Sequence, residues 1–422
     1  MPAEFADLRI DARWTVPMSA PGVVLEDHSL FVRDGRIDAL VPRAQALRLP
    51  APPIVVDRPR HALLPGLIDC HAQAPFAALR GLQPLPGAAD ARYAQDAAPL
   101  AIAEMLTAGV TCFADRSCHP GPVAGAAIAH GMRAVVCAPV AEHATPAGRT
   151  LAEHLSAALA LHDEYKAHPS ISTAFAPVDL DRIGDAALER LKVLADELDT
   201  TVVVELQTPS GGLGAAIERL RRLGLLNPAL RAIHLTGADA ADLRSAAEGG
   251  IAVSVCASSA LRRGRGLPPL AALRAAGIRL GLGTDGGAWN NDFEPWHELR
   301  LAALAAGGGA RADDGASVAI DAWDVLAMAT RDAAVALRID AETGTLERGK
   351  WADLCCVDAL GPAIPNPEGL VEQLVFCGGR DIVSDVWVAG RPLLAQSRAV
   401  RFDWSEVRER ARRATHRLRD GG

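Results

Sequence analysis

The stretches GLIDCH at residues 66–71 and IRLGLGTD at residues 278–285 are the first and last of eight short apolar runs that recur along the middle of the chain. Between them lie VTCFAD (110–115), RAVVC (133–137), ISTAFA (171–176), TVVVEL (201–206), RAIHL (231–235) and IAVSVC (251–256). Runs of this length, apolar on both faces, read as buried parallel strands. The intervening segments carry helical spacing; in DAALERLKVLADELD (185–199), Leu188, Leu191, Leu194 or Ala195, and Leu198 recur on one face. Eight such strands alternating with helices predict an α/β fold, a (β/α)8 TIM barrel, whose chemistry sits at the C-terminal ends of the strands.

Outward from this core, both ends of the chain change texture. Leu8, Ile10, Ala12, Trp14 and Val16 alternate with Arg9, Asp11, Arg13 and Thr15, a period-two strand. In SLFVRDGRIDALV, Asp34-Gly35 between two apolar segments predicts a hairpin. ADLCCVDAL and DIVSDVWVAGRPLL repeat the pattern near the other terminus. The expected organisation is a composite β-sandwich domain from 1–61 and 346–402, a barrel domain at 62–345, and a C-terminal helix or tail at 403–422.

Composition narrows the function classes. The 422 residues are 50% hydrophobic and carry a net charge of −8 without long single-sign blocks, and only 17 side chains are Phe, Trp or Tyr. Nucleic-acid binding is not expected from that charge and so few stacking rings. No signal-peptide pattern opens the chain and no run reaches the length of a membrane span, so no membrane partner is expected. Eight scattered cysteines without a C-x-x-C pair point to a reduced, cytoplasmic setting.

The strand ends present Asp69 and His71, Asp115, Cys137, Glu205 or Gln207, His234, Cys256 and Asp285. His71, His234 and Asp285 are far apart in sequence, yet a barrel gathers strands one, six and eight around one mouth. LLPGLIDCHAQAPFAALRGL (63–82), AIAEMLTAGVTCFADRS (101–117), AIHLTGADAADL (232–243), LGLGTDGGAWNNDFEPWHELRLAAL (280–304) and GTLERGKWADL (344–354) together resemble the amidohydrolase superfamily, nearest the methylthioadenosine/S-adenosylhomocysteine deaminase and triazine hydrolase branch. The resemblance implies a metal-bearing barrel with a β-sandwich built from both termini, in enzymes that are usually homodimers. It also implies one Zn or Fe ion held by His-x-His after strand one, a His at strand five and an Asp at strand eight. A strand-six His and a strand-five Glu would move protons around a metal-activated water.

Matched residue by residue, His71 is the first His of the pair, His234 the strand-six His and Asp285 the strand-eight Asp. Departures follow. Gln73 replaces the second His, Val204 falls at the strand-five metal His, Gln207 at the proton-moving Glu, and Val178 at a substrate-facing His; the segment from Leu82 to Pro99 is short for the family. Val offers no donor atom, and Gln207 keeps a carboxylate's shape without its titratable proton.

Two readings result. In the first, the chain is an amidohydrolase-like protein without metal-dependent deaminase activity. It has no metal cofactor, binds a purine- or triazine-like small molecule with Gln73 and Gln207, and keeps His234, Asp285 and His71 for metal-free chemistry. There His234 and Asp285 would form a base and orienter pair. In the second, the chain is an active hydrolase of a non-peptide C–N bond, with one divalent metal on His71, Gln73, His234 and Asp285. Weaker motifs are Gly281-Leu282-Gly283-Thr284-Asp285-Gly286, which spells a dinucleotide fingerprint outside its proper context, the Cys118-His119 pair, and the arginines of LRRGRG (261–266) as a greeting for an anion. Glu205 is expected to point toward the helical layer, opposite to a mouth-facing Val204.

Overall fold

The computed structural model describes residues 6–82, 89–206, 212–290, 292–306, 320–359 and 367–420. All eight apolar runs are strands. Their order around one sheet is Arg279–Leu282, Ala252–Val255, Leu230–Ile233, Thr201–Glu205, Ile171–Pro177, Arg133–Val140, Val110–Asp115 and Leu67–Gln73, with a two-residue strand Asp285–Gly286 beyond it. Every pairing is parallel. The short strand pairs Asp285 with Ala72 and Gly286 with Gln73, so the chain that leaves the eighth strand lies against the first and carries Asp285 to it.

The strands bury both faces, which explains why their sequences do not alternate. One face fills the lumen with Ile68, Cys70, Cys112, Ala114, Val135, Cys137, Ala174, Ala176, Val203, Ile233 and Cys256. The other meets helices through Val202, Val204, Leu188, Leu191 and Leu220. Small lumen residues let strands one and eight approach closely. A Cβ on Gly281 would sit 2.3 Å from Cys70 Sγ, and one on Gly283 would sit 2.8 Å from the His71 backbone nitrogen. Close packing against strand one accounts for these glycines, and no dinucleotide is needed to explain them.

Both termini supply one eight-stranded sheet ordered Arg398–Ala399, Arg391–Ala395, Val383–Val388, Leu354–Asp358, Ile54–Pro65, Leu8–Thr15, Leu25–Arg33, Arg36–Pro42. The expected hairpin is present: Asp34 and Gly35 have φ of 51° and 76°, the left-handed pair that a tight two-residue turn requires. The strand Ile54–Pro65 stays in this sheet to Pro65, which faces Leu354, and Gly66 then hands the chain to the barrel. A buried ion pair ties the two units: Arg133, at the start of the third barrel strand, donates through Nε to Asp353 at 2.9 Å. The helix Trp404–Arg419 packs on the barrel through Arg417 on Asp96 at 2.6 Å and Thr415 on the Ala78 carbonyl at 3.0 Å.

None of the eight cysteines is paired with another. Among the described residues no helix is long and apolar enough to cross a membrane.

Candidate functional site

The site begins with an irregularity in the first barrel strand. Asp69 faces Phe113 and Ala72 faces Asp115, so the first strand holds one extra residue between these two pairings. A bulge of this kind re-aims the side chains that follow it, and His71 and Gln73, two residues apart, both reach Asp285. Gln73 Nε2 donates to Asp285 Oδ1 at 2.8 Å, and His71 Nε2 lies 3.5 Å from the same oxygen. Ser259, on the short helix Ala257–Arg262 after the seventh strand, donates to Asp285 Oδ2 at 2.5 Å. Both carboxylate oxygens are therefore engaged by the protein's own groups.

His234 follows the sixth strand and is 2% exposed. Its φ of 77°, with 53° at Leu235 and 60° at Asp285, puts three non-glycine residues of the mouth in the left-handed region. Such conformations cost about 1–3 kcal/mol each and cluster where function demands a particular aim. The His71 and His234 rings stand edge to face with centroids 6.3 Å apart. The expected His234–Asp285 hydrogen bond is replaced: Asp285 bonds Gln73 and Ser259, while His234 Nε2 is 4.0 Å from Glu205 Oε1.

That contact overturns the expected strand-five phase. Val204 packs in the outer layer with the helices, and Val203 is the lumen residue. Glu205 shares Val203's face and so enters the mouth, where Arg116 Nη1 lies 3.5 Å from its Oε2. The phase follows from register: the fifth strand sets Val204 against Ala232 and Glu205 against Ile233. The local sequence Thr-Val-Val-Val-Glu has no alternation to reveal it. Arg116 was missed as well, although it directly follows the polar strand end Asp115. Its Nη2 donates to the carbonyls of Pro177 and Val178 at 2.8 and 3.0 Å, and its Nε is buried without an acceptor.

Burial dominates the electrostatics. It lowers the His234 pKa to about 4, against the opposing charges of Asp285 and Glu205, so the ring is neutral at physiological pH. Burial alone would raise Asp285, but hydrogen bonding from His71, the positive charge that ring carries when protonated, and the Ser259 hydroxyl hold it well below the usual carboxylate range. The Nδ1 atoms of His71 and His234 are buried and have no hydrogen-bond partner.

Outside this cluster a cavity of 360 Å³ opens at the strand ends, lined by His143, Val178, Glu205, Arg263 and Arg265 among others. Val178 thus does sit at the mouth. A larger cavity of 680 Å³ lies where the terminal sheet meets the opposite end of the barrel, beside Arg133 and Trp351, and contains none of these groups. Cys118 is half-buried, and His119 Nε2 bonds the Ala89 carbonyl at 2.9 Å, the structural role of an ordinary loop residue. Gln207, and part of the short segment from Leu82 to Pro99, lie outside the described residues.

The amidohydrolase family profile matches residues 62–393. The chain belongs to the amidohydrolase family. Its relatives include proteins named 5-methylthioadenosine/S-adenosylhomocysteine deaminase from Teredinibacter turnerae, 34% identical over 92% of both chains, and from Saccharophagus degradans, 31% identical over 96% of this chain and 95% of that one. Among solved structures, an adenosine deaminase from Xanthomonas campestris with bound zinc superimposes with a TM-score of 0.92, at 35% identity, over 99% of this chain and all of that one. Atrazine chlorohydrolase from Arthrobacter aurescens, complexed with zinc, shares the fold at a TM-score of 0.82 and 21% identity, over 97% and 100% of the two chains.

Among the described residues no three His, Cys, Asp or Glu side chains are grouped to hold one ion. Gln73 presents an N–H to Asp285 Oδ1, and a cation on that oxygen would have to displace it. Metal-bound histidines usually donate their second ring nitrogen to an acceptor, and neither His71 nor His234 does so here.

Proposed function

We propose that this amidohydrolase binds a small purine- or triazine-like heterocycle at the barrel mouth and does not carry out metal-dependent deamination. The observation that carries the reading is the state of Asp285, whose two oxygens are taken up by Gln73 and Ser259 with His71 against the first. A carboxylate with both oxygens engaged in this way must give up one of these bonds to take a metal ion. The names of the relatives support the heterocycle class. Mouth chemistry supports it too: neutral His234 and the Gln73 amide are groups that hydrogen-bond ring nitrogens and exocyclic amines.

Metal analysis of the purified protein, before and after incubation with zinc, tests this directly. The expected content is far below one equivalent, with no deamination of adenosine and measurable calorimetric binding of adenosine or a triazine. One tightly held equivalent that is lost in Asp285→Asn would overturn it.

A second reading, a rebuilt mononuclear hydrolase, draws on Glu205. With His71, His234 and Asp285 this carboxylate makes a two-histidine, two-carboxylate inventory around one mouth. Under that reading Glu205→Gln lowers metal content, whereas the leading reading predicts no change because there is little metal to lose.

A further inference from the structure

The mouth cavity sets Arg182, Arg263 and Arg265 among Asp179, Asp181 and Glu205, and the buried cluster uses none of these guanidiniums. Arg263 and Arg265 leave the seventh strand's helix on a glycine-rich turn and line the cavity opening together with Glu205. Neither guanidinium makes a hydrogen bond or ion pair with any described residue; Arg263 stacks over the Trp289 ring with its carbon 4.9 Å from the centroid, an arrangement that leaves its N–H edge free. Both lie within electrostatic reach of the buried groups. Burial and the neighbouring Arg263 charge weigh on the Arg265 guanidinium, with Glu205 and Asp285 opposing them. Glu205, which lines the same cavity, is already engaged by Arg116. Arg116 adds a buried Nε without an acceptor. Asp179 lines the cavity after the fourth strand, and its carboxylate accepts the Asp181 backbone N–H at 3.0 Å.

We propose that the ligand of this mouth is an anionic heterocycle, a ring that enters toward His71, His234 and Asp285 while a phosphate or carboxylate tail is held by Arg263 and Arg265. Arginine forks suit both tails, since each presents two coplanar oxygens to paired N–H donors. The proposal rests on the heterocycle-binding reading above, and it adds a requirement for charge that the neutral nucleosides do not meet.

Calorimetry on the full chain distinguishes the two. The probes are adenosine, adenosine monophosphate, the uronic acid of adenosine, and inorganic phosphate, each at low and high salt. The expected result is that at least one anionic nucleoside binds about tenfold or more tightly than adenosine at low salt, with the advantage shrinking as salt screens it. Which one wins identifies the tail as phosphate or carboxylate. In Arg263→Gln/Arg265→Gln, half-buried positions whose side chains make no hydrogen bond or ion pair with a described residue, the preference disappears while adenosine binding stays. Equal binding of adenosine and both anionic forms, unchanged in the double variant, overturns this inference and leaves the heterocycle reading intact. Binding of phosphate that is lost in the double variant, with no binding of any nucleoside, keeps the anion site and overturns the heterocycle reading. No binding of any probe overturns both.

Discussion

Glu298 is fully buried on the helix Pro295–Ala305, beneath the turn that carries Asp285, and it offers a direct test of how burial sets charge in this barrel. Burial raises its pKa from 4.5 to about 7, against the stabilising bonds from the Ser258 backbone N–H and the Asn290 amide, both at 3.1 Å. For a carboxyl whose pKa is raised by folding, the folded state holds its proton more tightly. The associated stability is fully present below pH 4.5 and is lost as pH rises through about 7. Integrating between about pH 5 and pH 8 gives a loss of about 2.5 kcal/mol from this group. With about 2.1 cal/mol/K of unfolding entropy per residue, a chain of this length converts that into about 3 °C of melting temperature. Glu298→Gln removes the titration. Its amide mispairs with one of the two N–H donors and costs about 1–3 kcal/mol at every pH. Scanning calorimetry of both proteins across this range should show the wild type losing about 3 °C more than the variant between acid and alkaline buffer. Parallel curves would refute the argument that burial keeps this carboxyl protonated.

Other consequences follow from the same geometry. Arg133→Met leaves Asp353 buried against the Ala389 N–H alone, and a lost partner of a buried ion pair costs about 3–5 kcal/mol, read as a lowered urea midpoint. If Asp353→Leu added to it does not recover part of that loss, the cost is not that of a stranded charge. Gly283→Ala places a methyl 2.8 Å from the His71 backbone nitrogen, so it should destabilise by several kcal/mol and displace the His71 ring, visible as a changed imidazole NMR signal. A thiol reagent should meet one fast cysteine, exposed Cys377, then a slower Cys118 whose thiol burial pushes up, with six buried thiols reacting only on unfolding. Fast modification of more than two in the native protein would contradict the packing of the lumen.

Much of this architecture is legible in one dimension because it rests on local patterns. Doubly apolar runs mark the eight strands, Asp34-Gly35 marks a turn that few other pairs can make, and alternation marks the terminal sheet. Strand ends point to the mouth, since a barrel places every C-terminal end on one face, so His71, His234 and Asp285 were found by position alone. Their partners were not. The bond from Ser259 to Asp285 joins two strands' loops, and the bulge that aims His71 and Gln73 is a mismatch of register between two strands that neither sequence displays.

The fifth strand shows the division most clearly. Sequence by itself determined that residues 201–206 form a buried strand ending near a carboxylate, because three consecutive valines satisfy both faces equally well. That same redundancy hides which face is which. Only the pairing with the sixth strand and the packing of Val203 into the lumen decided that Val204 turns to the helices and Glu205 to the mouth, beside Arg116 and His234. A one-residue change of phase exchanges the two faces of a strand, and in this protein it moves a carboxylate from the helical layer into the site.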